Sequence, residues 1–290
     1  MEIPERFKAG VRAERGADGD VWLENLNSVI DTYCRKWKLQ IDGEVMHGYV
    51  AIVIPVRRQE ELSALKISWV DEETRHESLA LQAWNGVGCV KLLNSAPADG
   101  VMLLERLNAA CTLREVDIDD AAQIATNLLR RLAITAPPEL ISTSTIADRH
   151  AATLRERWQK LGQPFAESLV ETTVESARMV HNCQDKFLVN QDLHYDNVLQ
   201  GSREPWLVID PKPVSGDIEF GVAPLLWNRF EEGNIRCRLN LIFKSGKMDK
   251  ARLKNWCLVR VIDYWLWALT TGFTEDLIRC EQLAASILEF

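Results

Sequence analysis

The chain has no excess of basic residues: 34 lysines and arginines stand against 42 aspartates and glutamates, a net charge of −8. A nucleic-acid binder needs a basic face to neutralise phosphates, so that class is disfavoured, whereas an acidic surface suits a cationic small molecule as partner. Paired cysteine motifs are absent as well. The seven cysteines, at 34, 89, 111, 183, 237, 257 and 280, are odd in number and never fall at Cys-x-x-Cys spacing. That argues against a disulfide scaffold or a zinc site and reads as small buried hydrophobes in a reducing cytoplasm. Long hydrophobic runs are missing too. The opening "MEIPERFKAG" lacks the apolar core of a secretory signal, and the late stretch "CLVRVIDYWLWAL" is too short for a bilayer and carries Arg260 and Asp263. The expectation is a cytoplasmic protein with no membrane partner. Repeats and low-complexity tracts are also lacking. With 290 residues, 47% of them hydrophobic, the chain has material for a large core and one or two domains.

What is present changes character along the chain. "DVWLENLNSVIDTYCRKW" places Trp22, Leu26, Val29, Ile30, Tyr33 and Trp37 at helical spacing. Three short β-branched runs follow, "WKLQI", "YVAIVIPV" and "LSALKISWV", and then "DEETRHESLALQAW", a helix with acidic residues in its first turn. "CVKLL" and "VMLLERL" read as two more strands around the turn "NSAPADG". After Leu107 most segments are helical, interrupted by short strands at "FLV", "NVLQ" and "WLVID". The expected class is α+β. Residues 1–106 form a small antiparallel sheet lobe with one inserted helix, and residues 107–290 a larger, mainly helical lobe.

The chemistry-bearing residues cluster where apolar runs end. Asp192 follows the run "FLVN", Asn197 comes five residues later as the next strand begins, and Asp210 closes the strand after that. A hairpin between those strands brings Asn197 and Asp210 together, with the loop of Asp192 beside them. The result is a pair of hard oxygen ligands for a divalent metal next to a further carboxylate. Lys66 lies inside the apolar run "SALKISW", and Glu77, eleven residues on, is a natural partner for it. One metal pair, one base and one cation are what phosphoryl transfer from a nucleotide requires. Each residue also has a plain structural reading: Asp192 and Asn197 as turn residues, Asp210 as the end of a strand before Pro211, and Lys66 as a snorkelling edge residue. The combination and order favour the functional one. Trp256, Trp265 and Trp267, at roughly helical intervals, read first as core, with Asp263 between them as a carboxylate able to bind an amino or guanidino group.

These motifs carry a resemblance. "NQDLHYDNVL" resembles the catalytic loop of the aminoglycoside phosphotransferases, a branch of the protein-kinase-like fold. "WLVIDPKPVSGDIEFGVAPLLWNR" and "ALKISWVDEETRHESLALQAWNGVGCVKLL" resemble the streptomycin and hydroxyurea phosphotransferase subgroup. The resemblance implies a two-lobed fold, ATP and Mg2+ as cofactors, Asp192 as catalytic base, and Asn197 and Asp210 as metal ligands. It implies that Lys66 contacts ATP phosphates and pairs with Glu77, and that backbone from Glu105 to Leu107 holds adenine. The turn "DGEVMHG", with Gly43 and Gly48, would cover the phosphates, and Asp217, Asn228 and Arg229 would lie near the acceptor. The implied activity is transfer of a γ-phosphate to a hydroxyl of a small cationic molecule, an aminoglycoside such as streptomycin. Hydroxyurea, another small metabolite, or a catalytically silent nucleotide-binding module are the alternatives. A protein kinase fits less well, since no Ala-Pro-Glu segment follows Asp210. Two departures stand out. Asn190-Gln191 replaces the usual His-Gly before the base, and Gly221 sits where many relatives have an Asp that braces the catalytic loop.

Overall fold

Residues Glu5–Trp37 form a single long helix, α1, that starts well before the segment expected from the apolar spacing. Its early part carries only Phe7 and Val11 as buried apolar residues and is offset by a kink at Gly16, where φ is +56° and ψ −135°. A stripe interrupted in this way is invisible to helical periodicity. The structure, a computed structural model, describes residues 1–182 and 186–290, so Cys183 lies outside the described residues. Contacts divide the chain into two compact units, one of residues 1–86 and 90–107, the other of 87–89 and 108–290.

In the first unit α1 lies on an antiparallel sheet. Its strands are β1 (Gln40–Ile41), β2 (Met46–His47), β3 (Ala51–Arg58), β4 (Glu61–Ser68), β5 (Leu92–Ala96) and β6 (Val101–Glu105). The order is β1-β3-β4-β6-β5, with β2 also on β3. Side chains alternate across such strands. Ile52, Ile54, Val56, Leu65, Ile67, Val101 and Leu103 therefore share a face and pack with Phe7, Leu26, Ile30, Tyr33 and Trp37 of α1. Full burial of each such side chain contributes about 1.5–3 kcal/mol. The same alternation sends Lys66 to the opposite face of β4, where it lies between Val53 and Met102 in register. Helix α2 spans Glu77–Trp84, beginning later than expected. The acidic run before it is a turn instead, because Asp71 Oδ1 accepts the N–H groups of Glu73 and Thr74.

The second unit begins with β7 (Asn108–Thr112) and α3 (Ile118–Leu132), whose first turn is capped by the Asp117 side chain. Helices α4 (Thr143–Lys160) and α5 (Glu167–His181) follow. Next come β8 (Phe187–Asn190), β9 (Val198–Gln200), β10 (Trp206–Val208) and β11 (Pro213–Gly216). These make two small sheets, β10-β9-β7 and β11-β8. The rest is α6 (Pro224–Trp227), α7 (Ile235–Gly246), α8 (Lys250–Thr271) and α9 (Leu277–Leu288). β2, β7 and β11 were not expected from the sequence; each is short and lacks a β-branched run. Of the cysteines expected in the interior, Cys89, Cys257 and Cys280 are buried, whereas Cys34 and Cys111 are half-buried and Cys237 is exposed. None of the described helices is long and apolar enough to cross a membrane.

Candidate active site

In the first unit the Lys66 ammonium donates to both oxygens of Glu77, each at 2.7 Å. Lys66 is 4% exposed and Glu77 1% exposed. The pair forms because β4 alternation turns Lys66 away from α1 and α2 presents its first residue to it. The contact offsets part of the cost of burying both charges. The glycines behave differently from one another. A Cβ at Gly43 would come within 3.0 Å of the Pro55 ring, so close packing already accounts for it, while Gly48 faces open space. Glu105 ends β6, and its N–H is bonded to Lys91 O at 3.0 Å. Its carboxylate accepts Lys91 N–H at 2.7 Å. Leu107 follows beyond the strand, after Arg106, whose guanidinium reaches Ser63 O and Asp42.

In the second unit β9 and β10 form the hairpin that the spacing predicts, with Val198 opposite Val208 and Leu199 opposite Leu207. One step further Ile209 N–H bonds Asn197 O at 2.9 Å, which fixes Asn197 beside the start of Asp210. Asp210 adopts φ +49°, a left-handed conformation uncommon for a residue other than glycine, which ends the strand there. Asn197 is 9% exposed, and its Nδ2 donates to Asp192 O at 3.4 Å. An amide oxygen and a carboxylate are the hard donors that Mg2+ takes, with water and phosphate completing its shell. Among the described residues no group of three or more His, Cys, Asp or Glu is arranged to hold a metal. The donor set therefore fits an ion shared with a phosphate ligand better than a fully protein-bound one.

The loop of Asp192 is held by Asn190, whose side chain can hydrogen-bond locally, and by Lys212 and Arg260, to which the sequence assigned no role. Asn190 is fully buried, and its Oδ1 accepts the N–H of Asp192 and that of Lys212, both at 3.0 Å. An Asx turn of this kind is what Asn provides in place of the usual His-Gly. Gln191 N–H bonds Lys212 O at 3.0 Å, and Arg260 donates to Gln191 O at 3.1 Å. Lys212 Nζ lies 3.3 Å from Asp192 Oδ2, with both side chains about one-third exposed at 31% and 27%. Gly221 has a steric reason to differ from relatives. A Cβ there would meet Asn190 O and Leu129 Cδ1, each at 2.8 Å. The turn at 218–221 thus packs directly on the residue that carries the Asx turn. The bracing expected from residue 221 is supplied by Asn190 and Arg260. The signal for Lys212 was its place between Pro211 and Pro213, two residues after Asp210.

The residues expected near an acceptor are heavily engaged. Asp217 is 2% exposed. It accepts from the Arg252 guanidinium and from Trp256 Nε1, the latter at 2.6 Å. Asn228 Nδ2 donates to Asp196 Oδ2 at 2.9 Å, tying the end of α6 to the loop that follows Asp192. His194, 3.5 Å away, and the bond from Asn228 hold the Asp196 carboxyl well below the usual range despite its partial burial. Arg229 is spent on Leu113 O, Val116 O and Glu232. Asp263 Oδ1 pairs with Arg157 at 2.6 Å and lies 3.4 Å from His150 Nδ1, while its side chain stays one-third exposed. Burial pushes the His150 imidazole below its ordinary value. Trp256 and Trp265 are in the core as expected, but Trp267 is 43% exposed and stacks between Tyr264 and Phe273.

Comparison with known proteins adds an independent line. Residues 36–272 match the family model described as aminoglycoside/hydroxyurea antibiotic resistance kinase. The hydroxyurea phosphotransferase of Kitasatospora aureofaciens is 35% identical over 277 residues, covering 94% of this chain and 82% of that protein. The streptomycin 6-kinase of Streptomyces griseus is 33% identical over 286 residues, covering 94% and 93%. Among solved structures, aminoglycoside phosphotransferase APH(4)-Ia in a ternary complex with ADP and hygromycin B superposes with a TM-score of 0.65 at 14% identity, over 90% of this chain and 98% of that one. The choline kinase LicA of Streptococcus pneumoniae gives 0.59 at 10% identity, over 92% and 100%. At such identities the structural likeness shows the fold, which is protein-kinase-like.

Proposed function

Since the chain belongs to the aminoglycoside/hydroxyurea antibiotic resistance kinase family, we propose that it moves the γ-phosphate of ATP onto a hydroxyl of a small cationic molecule, with streptomycin or a related aminoglycoside as the first candidate. The observation that carries this reading is the hairpin bringing Asn197 and Asp210 together beside the loop of Asp192. In this reading residues 1–106 serve the nucleotide and residues 107–290 carry the catalytic loop and the acceptor pocket. Lys66, positioned by Glu77, neutralises the non-transferring phosphates. Backbone between Glu105 and Leu107 holds adenine through groups other than the Glu105 N–H, and Gly48 lies in the turn over the phosphates. Gly43 belongs to the same turn and allows it to pack on Pro55.

Asn197 and Asp210 would hold Mg2+, which supplies charge neutralisation on the phosphates when bound. Asp192 orients the acceptor hydroxyl and takes its proton as the oxygen attacks phosphorus. Asn190 and Arg260 keep that loop rigid, so little reorganisation is needed as charge moves. Asp217 and Asn228 act behind the acceptor site, by packing and by bracing the loop, and Asp263 offers its carboxylate to the acceptor beside Arg157. A cytoplasmic location suits an ATP-consuming enzyme with free thiols at Cys34, Cys237 and Cys257. A second acceptor, hydroxyurea, is kept because identities of 35% and 33% do not separate the two kinds of relative.

The test is ATP consumption with Mg2+ against streptomycin, other aminoglycosides, hydroxyurea and simple polyols, with mass detection of an added phosphate. Phosphorylated streptomycin is the expected product. Phosphorylated hydroxyurea alone would select the second acceptor. Nucleotide binding with no product from any acceptor would favour a catalytically silent module.

A further inference from the structure

We infer that Lys212 is a further catalytic residue, the cation that meets the transferring phosphoryl group beside Asp192. The inference rests on the phosphotransferase reading above. The contact itself is plain: Lys212 Nζ is 3.3 Å from Asp192 Oδ2, and both side chains remain open to solvent. An ion pair with that exposure adds little to stability, so stability does not account for its construction. Yet the lysine is mounted with unusual care. Its N–H is held by Asn190 Oδ1 and its carbonyl by Gln191 N–H, each at 3.0 Å. It stands between Pro211 and Pro213, whose rings fix φ on either side. Pro213 in turn is in register with Asn190 across β11 and β8. The same Asn190 oxygen holds the Asp192 N–H. One buried side chain therefore sets the backbone of both members of the pair. The mounting is rigid and the charged ends are accessible, which is the arrangement of a ligand-handling group.

The chemistry needs such a group. In the transfer step a bond forms between the acceptor oxygen and phosphorus. The bond from phosphorus to the β-phosphate oxygen breaks, ADP leaves with that electron pair, and the hydroxyl proton passes to Asp192. The phosphoryl oxygens carry negative charge throughout, and the Asp192 carboxylate must sit near them. Lys66 is assigned to the non-transferring phosphates. Lys212 offsets the repulsion between the base and the phosphoryl group. An ammonium has three donors, so contacts with Asp192 and with a phosphoryl oxygen are compatible.

The experiment compares wild type, Lys212→Met and Lys212→Arg in three measurements: transfer kinetics on whichever acceptor the panel identifies, calorimetric binding of ADP and of AMP-PNP with Mg2+, and thermal unfolding. In Lys212→Met, kcat should fall about 100-fold or more, with acceptor KM within about three-fold, the size of effect seen when one preorganised charge donor is removed. Affinity for AMP-PNP should fall about ten-fold while that for ADP, which has no γ-phosphate, stays within about two-fold, and Tm should not move. Lys212→Arg should recover part of both losses by restoring the charge. Near-normal kcat in Lys212→Met overturns the inference and leaves the phosphotransferase reading standing. Equal weakening of ADP and AMP-PNP, or a loss that follows a lowered Tm and is not recovered by Arg, also overturns it in favour of a structural role. Absence of transfer by the wild type overturns both readings.

Discussion

Two lysine–carboxylate contacts, one in each unit, are built on opposite principles. Lys66 and Glu77 are nearly sealed, at 4% and 1% exposure, and meet at 2.7 Å through both carboxylate oxygens. Lys212 and Asp192 meet at 3.3 Å through one oxygen and stay about one-third exposed. The first pair cannot part without losing a buried charge–charge contact. The second can, because water replaces whatever either end gives up. A closed pair holds a side chain in one place, whereas an open pair exchanges contacts with a substrate. The rigidity of the second pair comes from its backbone, through Asn190, rather than from the ion pair.

Variants at these positions break the comparison in graded ways. Asp192→Ala should give the largest effect, a loss of about 100- to 10,000-fold in kcat. Nucleotide binding and Tm should be retained, as read by steady-state kinetics, calorimetry and thermal unfolding. Near-normal turnover would remove Asp192 from the role of base. Asp210→Ala should lose Mg2+-dependent nucleotide binding along with turnover. Glu77→Ala should act on the opposite observable. It removes the carboxylate that meets the buried Lys66 ammonium at 2.7 Å and should cost about 3–5 kcal/mol of stability in denaturant unfolding. A change below about 1 kcal/mol would mean the pair is not closed in the sense argued above.

Gly221→Asp probes the support behind the open pair. Although it restores the residue that many relatives carry, its Cβ would collide with Asn190 O at 2.8 Å. The expected cost is about 1–3 kcal/mol, with kcat reduced rather than improved. A gain in activity would show that the turn can move aside. The smallest effect concerns pH. Burial holds the His150 imidazole below its ordinary 6.5, against the pull of Asp263 and with help from Arg157, Arg260 and Arg149. A group depressed on folding takes up protons more readily when unfolded. Its contribution is therefore present above pH 6.5 and is lost as the pH falls through 6.5 toward the lowered folded value. Tm should decline across that window in the wild type, and His150→Gln should flatten the decline.

Much of this was legible in the chain itself. The change from strands to helices near Leu107, the cation in an apolar strand and the Asp-Asn-Asp order are local patterns. The Asn197–Asp210 hairpin is also local, since two short apolar runs separated by a few turn residues have little choice but to pair. Helix α1 was seen only from its second half, because the Gly16 kink breaks its apolar stripe. Strands β7 and β11 were not seen, because their pairing comes from partners far along the chain, and β2, which pairs locally with β3, is too short at two residues to show a pattern.

The departures at Asn190 and Gly221 show the boundary most clearly. In the sequence they look like losses from a catalytic motif. In three dimensions each explains the other: Asn190 turns the loop and Gly221 makes room for it. What the sequence by itself determined was the chemical inventory, the lobe order and the neighbours joined by short turns, because these follow from side-chain period and residue type. Only the tertiary structure decided which charges are shut away and which stay open, and that Lys212 meets the Asp192 carboxylate. Burial and long-range hydrogen bonds depend on which surfaces meet, and that is a property of the packed chain rather than of any segment.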